Sequence, residues 1–427
     1  MSSTLNKLNA SEIAAAVNAG RITAVSVVED CLDRIEAREP IVQAWEFIDR
    51  EQAIEQARQV DKDSKKGTLA GVPVGIKDII DTRDMPTGMG SSIYEGYKPK
   101  TDAACVTRLQ SAGAIVIGKT VTCEFAGVTP GKTTNPYDPS RTPGGSSSGS
   151  CAAVADYMVP IALGTQTGGS VIRPSSYCGI IGYKPSFDSF SLKGVFPAAE
   201  SLDTLGVHAR SIEDVELVAA ALVNRPPKTI QVLKRPPVIG VCRTWMWDEA
   251  KQESRDAIET ASAGMKAAGA FLRDIELPEE FQWLADVRHI INARERADIM
   301  AAHWINDRPK LSAQSVNTIQ SGLNITHDDY LDAMYLMDTC RARMNHTFDS
   351  CDFILTPSVD GEAPRGLKDT GDHKFQSLWT MLQVPTVTLP THKGPNELPV
   401  GIQIIAPYRK DDALMAAAQW VLKALNI

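Results

Sequence analysis

Two hydroxyl- and glycine-rich segments and one lysine hold the residue types with which this 427-residue chain could do chemistry. Residues 143–155, PGGSSSGSCAAVA, pass from a Pro-Gly-Gly turn through a run of serines into an Ala/Val stretch suited to a helix. Serines at a helix N-terminus sit among free N–H groups at the positive end of the helix dipole, which favours an oxygen with developing negative charge. A Ser/Gly linker is the plainer reading, but linkers are not followed at once by a helix start and a strand. Residues 163–174, LGTQTGGSVIRP, follow a strand-like run and set Gly168 and Gly169 directly before Ser170. A sharp turn there lets the N–H groups of Thr167, Gly168, Gly169 and Ser170 converge on an oxyanion while the Ser170 hydroxyl meets a carbonyl carbon. Standing alone, the segment is equally an ordinary Gly-Gly turn. In residues 71–81, GVPVGIKDIID, Lys77 ends an apolar strand, where burial lowers a lysine pKa toward neutrality and makes the amine a base. A surface lysine paired with the adjacent Asp78 is the competing explanation.

Three further patterns point elsewhere and fail on context. GAIVIGKT (113–120) satisfies a phosphate-loop expression, but Ala, Ile, Val and Ile between the glycines belong in a buried strand rather than a flexible cradle. GSSSG (145–149) matches a nucleophile elbow centred on Ser147, with His373 and Asp360 available as partners in the right order. An elbow must follow a strand, and the preceding KTTNPYDPSRTP, with three prolines, reads as loop. The seven histidines show no paired spacing, so neither a zinc site nor a histidine relay is indicated.

The elements that must position these residues follow an α/β pattern. Helices are expected across 11–38, with Ser11 and Thr23 as N-caps and Gly20 between them. Strand-like runs at 72–76, 114–117, 159–163, 238–241, 353–355, 386–389 and 401–405 alternate with helical stretches, which argues for a layered fold around a sheet. The chain reads as a single domain over 1–427, with a helical region at about 250–350 shaping a substrate pocket and a closing helix from Asp411.

A hydrophobic content of 43% supports a large core, and a net charge of −8 with scattered basic residues argues against nucleic acid as a partner and weakly against polyanionic substrates. Eight cysteines fall singly, as in a reduced cytoplasmic protein, and neither a signal-peptide layout nor an apolar run of ~18 residues is present. No membrane association is expected.

Taken together, the three segments resemble the amidase signature family. The resemblance extends through GKTVTCEFA (118–126), NPYDPSRTPGG (135–145), SLDTLGVHARSIEDV (201–215) and GDHKFQSLWTMLQVPTVTLP (371–390). It implies a large twisted mixed β-sheet enclosed by helices, and a Ser-cisSer-Lys triad falling on Ser170 as nucleophile, Ser146 as bridging serine and Lys77 as base. It implies neither metal nor cofactor. The expected activity is hydrolysis of a small amide or carbamoyl-type substrate through a seryl acyl-enzyme, with homodimerisation left open. The alternative is the amidase subunit of an amidotransferase-like complex, for whose extended partner-binding regions the chain looks too short. Two departures from the family pattern stand out: Gln166 replaces an aspartate beside the oxyanion loop, and Arg173 lies three residues after the nucleophile rather than two. Met89, Thr122, Phe125 and Trp379 are the candidates for the pocket mouth, each equally explicable as core.

Overall fold

The strand-like runs of the sequence join in a single mixed sheet of eleven strands in the computed structural model, which describes residues 4–427. The first half supplies β1 (Trp45–Ile48), β2 (Pro73–Lys77), β3 (Ile115–Thr120), β4 (Ile161–Gln166), β5 (Ile181–Lys184) and β6 (Thr204–Ala209). The second half supplies β7 (Val238–Val241), β8 (Phe271–Asp274), β9 (Phe353–Pro357), β10 (Thr386–Lys393) and β11 (Pro399–Ile405). They lie in the order β1-β3-β2-β4-β6-β5-β10-β11-β9-β7-β8. Pairing is parallel in β3-β2-β4 and β9-β7-β8 and antiparallel elsewhere.

Strands β2, β3, β4, β6, β9 and β11 are buried along their whole length, which explains why most of them read as near-continuous apolar runs rather than alternating ones. Helix Ser148–Ala155 packs against β2, β3, β4 and β6, and helix Gln252–Ala267 packs against β9, β10 and β11. The GAIVIGKT segment is strand β3, as its apolar middle requires. Four strands, β1, β5, β6 and β8, have no counterpart among the strand-like runs of the sequence. Three of these have only four residues, and β8 is a largely exposed edge strand with no apolar face to mark it.

At the N-terminal side, helices Ala10–Asn18 and Ala24–Val42 form as expected, with one correction. Ser11 is not the cap: Asn9 is, in a capping box with Glu12, and Ser11 is already helical, its N–H donating to Asp214. Thr23 does cap the second helix, accepting from the Ser26 N–H at 3.1 Å. Met1–Ser3, where the stretch that lacks a signal-peptide layout begins, lie outside the described residues. No helix among the described residues is long and apolar enough to cross a membrane.

Candidate active site

Strands β2 and β4 are adjacent and parallel, so their C-terminal ends open at the same edge of the sheet, where open α/β sheets hold ligands. Lys77 ends β2 with its side chain fully buried. Its Nζ donates to Ser146 Oγ at 2.8 Å and to Thr165 Oγ1, on β4, at 2.8 Å. Burial is the main force that pulls its pKa down to about 7, with smaller opposing pulls from Cys123 and Asp203. Lys77 does not pair with Asp78. Successive residues at the strand end point to opposite sides, and Asp78 meets the buried Lys119 at 3.3 Å instead.

Ser146 follows a cis peptide bond from Gly145 and precedes helix Ser148–Ala155, so the serine run does lie at a helix N-terminus. The Ser146 carbonyl accepts from the Cys123 N–H at 3.2 Å, and the Gly145 carbonyl accepts from Arg173 Nη2 at 2.6 Å. Ser147 is stitched to β4 instead: its Oγ donates to the Thr165 carbonyl and accepts from the Thr165 N–H, each at 3.3 Å. Gly164 makes that approach possible, since a Cβ there would stand 2.6 Å from Ser147 Oγ. The fully buried Ser147 therefore has neither access nor partners for an elbow nucleophile, with His373 bonded to Ser377 and Arg288 and Asp360 to Tyr177.

The loop after β4 carries Thr167 to Ser170. Ser170 is 9% exposed and lines a cavity of about 220 Å³. Its hydroxyl makes no hydrogen bond to the protein among the described residues, so no bond joins it to Ser146 in this structure. Neither glycine of the loop has a left-handed backbone. Gly169 is needed for clearance: a Cβ there would lie 2.5 Å from Gln376 Oε1. Gln166 Oε1 accepts from the Val171 and Ile172 N–H groups at 2.8 and 3.0 Å, while its Nε2 donates to Thr380 Oγ1 at 3.0 Å. A neutral amide thus anchors the start of helix Ile172–Tyr177 without supplying a charge. Arg173, in the first turn of that helix, holds the Gly371 carbonyl at 2.5 Å as well as that of Gly145, which ties the Ser146 and Ser170 segments together.

Of the four pocket candidates, the structure places only Phe125 along this cavity. Met89 is buried against the turn after β2, and Thr122 lines a separate cavity beside Lys132. Trp379 is 1% exposed, because the spacing of helix Lys374–Met381 turns Gln376 and Thr380 toward the Ser170 loop and Trp379 into the core. Sequence reasoning missed Thr165, Arg288 and Gln376. Thr165 carried a signal, sitting in the same LGTQTGGS segment, whereas Arg288 is one of several charged residues in helix Leu284–Ile299. No cluster of His, Cys, Asp or Glu suited to a metal ion occurs among the described residues.

The chain matches the amidase family over residues 26–415. It is 32% identical to the A subunit of the glutamyl-tRNA(Gln) amidotransferase of Rhodopirellula baltica, over 96% of this chain and 95% of that one. Among solved structures, one from work on a vestigial protein complex and the evolutionary origins of an s-triazine catabolic enzyme superposes with a TM-score of 0.90 at 26% identity, covering 98% and 99% of the two chains. A structure described as an amidase superposes with a TM-score of 0.89 at 28% identity, covering 97% and 99%. With a buried lysine at the end of β2 bonded to a serine just before a helix, and a family match over residues 26–415, the chain belongs to the amidase signature family.

Proposed function

We propose that this protein hydrolyses the carbon-nitrogen bond of a small amide, with Ser170 as nucleophile, Ser146 as proton bridge and Lys77 as base. The observation that carries the reading is Lys77: buried, held near neutrality, and 2.8 Å from Ser146 Oγ. In its neutral form Lys77 takes the Ser146 proton as Ser146 takes that of Ser170, whose oxygen bonds to the substrate carbonyl carbon. The 146-to-170 hydrogen bond that this step needs forms when substrate fills the cavity, a tightening usual between free and occupied sites. The carbonyl oxygen becomes an oxyanion facing the N–H groups of residues 167–170, donors of a kind worth ~10²–10³ in rate. The carbon-nitrogen bond then breaks, the amine leaving with a proton returned through Ser146, and water releases the acyl group by the same relay in reverse. We place all of this chemistry within a single domain, with helix Leu284–Ile299 as one pocket wall.

Ammonia release from a panel of small primary amides tests the proposal. Wild type and Ser147→Ala should act, and Ser170→Ala and Lys77→Ala should not. Unimpaired turnover by Ser170→Ala would end this assignment. The named relatives favour a second reading, in which the chain works within a complex and passes ammonia to a partner. Turnover of small amides by the isolated chain at rates unaffected by any copurifying protein would set that reading aside.

A further inference from the structure

The cavity beside Ser170 has an unbalanced charge. Arg173, Arg288 and Arg296 line it against one carboxylate, Glu124. Glu124 is held by Ser312 and Ser315 and offsets Arg296, which also feels Asp203. Arg173 and Arg288 are left without an ion-pair partner among the described residues, their hydrogen bonds going to the carbonyls of Gly371 and Gly145 and to His373. The carboxylates that face them from the neighbouring loop offset them only at longer range: neither comes within ion-pair distance of either guanidinium, Asp372 lying 3.9 Å from Lys374 Nζ and Asp369 accepting from the Gly371 N–H.

His373 does not supply the missing negative charge, but it aims the guanidinium. The Ser377 hydroxyl donates its one proton to the His373 carbonyl at 2.8 Å, so at the 3.0 Å contact with Ser377 Oγ it is His373 Nδ1–H that donates. Nε2 is then the acceptor of Arg288 Nη2 at 3.0 Å, and the ring is neutral. Burial and the two arginines hold the His373 pKa well below its usual value, in agreement with that assignment. Arg288 Nη1 meanwhile approaches the loop of residues 167–170, 3.6 Å from where a Gly168 Cβ would stand, with no acceptor among the described residues. Burial first, and then the charge of Arg173, lower the pKa of Arg288 to about 10, as two guanidiniums facing one space next to the nucleophile should.

We propose that Arg288 determines specificity by receiving a carboxylate of the substrate, so that the preferred substrates are short amides carrying a carboxylate at the end opposite the scissile bond. A planar carboxylate matches the unused edge of a guanidinium, and a cavity of about 220 Å³ admits only a short chain. This inference rests on the amidase reading above and narrows its substrate class.

The test compares succinamate with 4-methylpentanamide, in which an isopropyl group replaces the carboxylate. Wild type should favour succinamate in kcat/KM by about 100-fold. Arg288→Met should lose that preference while still hydrolysing 4-methylpentanamide, and Arg288→Lys should keep part of it. Equal kcat/KM for the two amides in the wild type, or a preference unchanged in Arg288→Met, would overturn the inference and leave the amidase reading intact. Calorimetric titration of Ser170→Ala with succinate gives a readout independent of turnover. If the wild type hydrolyses neither amide but Ser170→Ala binds succinate and the Ser170→Ala, Arg288→Met double variant does not, the anion site stands and the amidase reading falls. Absence of succinate binding to Ser170→Ala would refute the anion site.

Discussion

On the reading proposed above, desolvation makes Lys77 the base, so the reaction must carry the titration of that lysine in its pH dependence. With a pKa of about 7, kcat/KM for a neutral amide should rise tenfold per unit at low pH and level off above neutrality. At pH 5, roughly one Lys77 in a hundred is neutral, which sets the rate about 100-fold below its plateau. Using a neutral amide keeps substrate charge out of the profile, and His373, held neutral, adds no limb of its own. Asp78, raised to about 6, titrates in the same region, but it is bonded to Lys119 and not to Thr165. Thr165→Val therefore assigns the limb. Thr165 Oγ1 accepts from the ammonium of Lys77, and its loss removes a bond that favours the charged form, moving the limb to lower pH. The assay is ammonia release at subsaturating amide from pH 5 to 9, with circular dichroism at each pH to confirm folding. A flat profile, or a limb that stays put or rises in Thr165→Val, would refute the assignment of Lys77 as base.

Three further outcomes follow from the same geometry. Gln166→Leu frees the Val171 and Ile172 N–H groups and should lower kcat on the order of 100-fold by letting the Ser170 loop shift, a loss that steady-state kinetics would detect. Trp379→Ala should cost about 3–5 kcal/mol in thermal unfolding with KM unchanged, since the ring packs in the core and not along the cavity. Stability measured against pH should rise between about 7 and 9, because there the unfolded chain binds a proton that folded Lys77 has released and the buried thiols, pushed up by burial, do not yet oppose the trend; Lys77→Met should flatten that rise, leaving the shares of the similarly buried Lys119 and Lys184.

Much of the sheet was legible because its buried strands write their burial into continuous apolar runs, and Val238–Val241 and the helix start at Asp411 fall where the pattern put them. The missing strands are those whose burial the local sequence does not record. β8 is exposed, and β5 and β6 pair with each other and with strands distant in the chain, so only tertiary pairing reveals them. The same distinction separates the proposed site residues. Lys77, Ser146 and Ser170 belong to three segments with strong local character, and a resemblance in motif order identified them. Arg288 and Gln376 reach the Ser170 loop from helices far along the chain, one helix face at a time. Trp379 and Met89 show the reverse ambiguity, since an apolar residue near a motif reads alike whether it faces a cavity or the core, where both are buried.

The arrangement also shows what a lysine in the proposed role of base requires of its surroundings. Lowering a lysine pKa from 10.5 to about 7 means removing water from the amine on every side, and the folded state bears that destabilisation wherever the unfolded lysine would be charged. Lys77 meets the requirement by ending a strand that is buried on both flanks, between β3 and β4, beneath the helix that starts at the serine run. The only polar atoms it bonds among the described residues are two hydroxyls, which accept from the charged form and donate to the neutral one without contributing a negative charge that would hold the proton. A carboxylate at either place would raise the lysine back toward its ordinary value and silence it at neutral pH. Asp78 is the nearest residue in sequence able to do so, and its diversion to Lys119 leaves the Lys77 amine without that carboxylate. On this argument Lys119→Met, which leaves Asp78 buried without its cation, should do one of two things: protonate Asp78, or draw its charge toward Lys77 and move the activity limb to higher pH. A limb moving to lower pH would show that the two lysine sites are not coupled in this way.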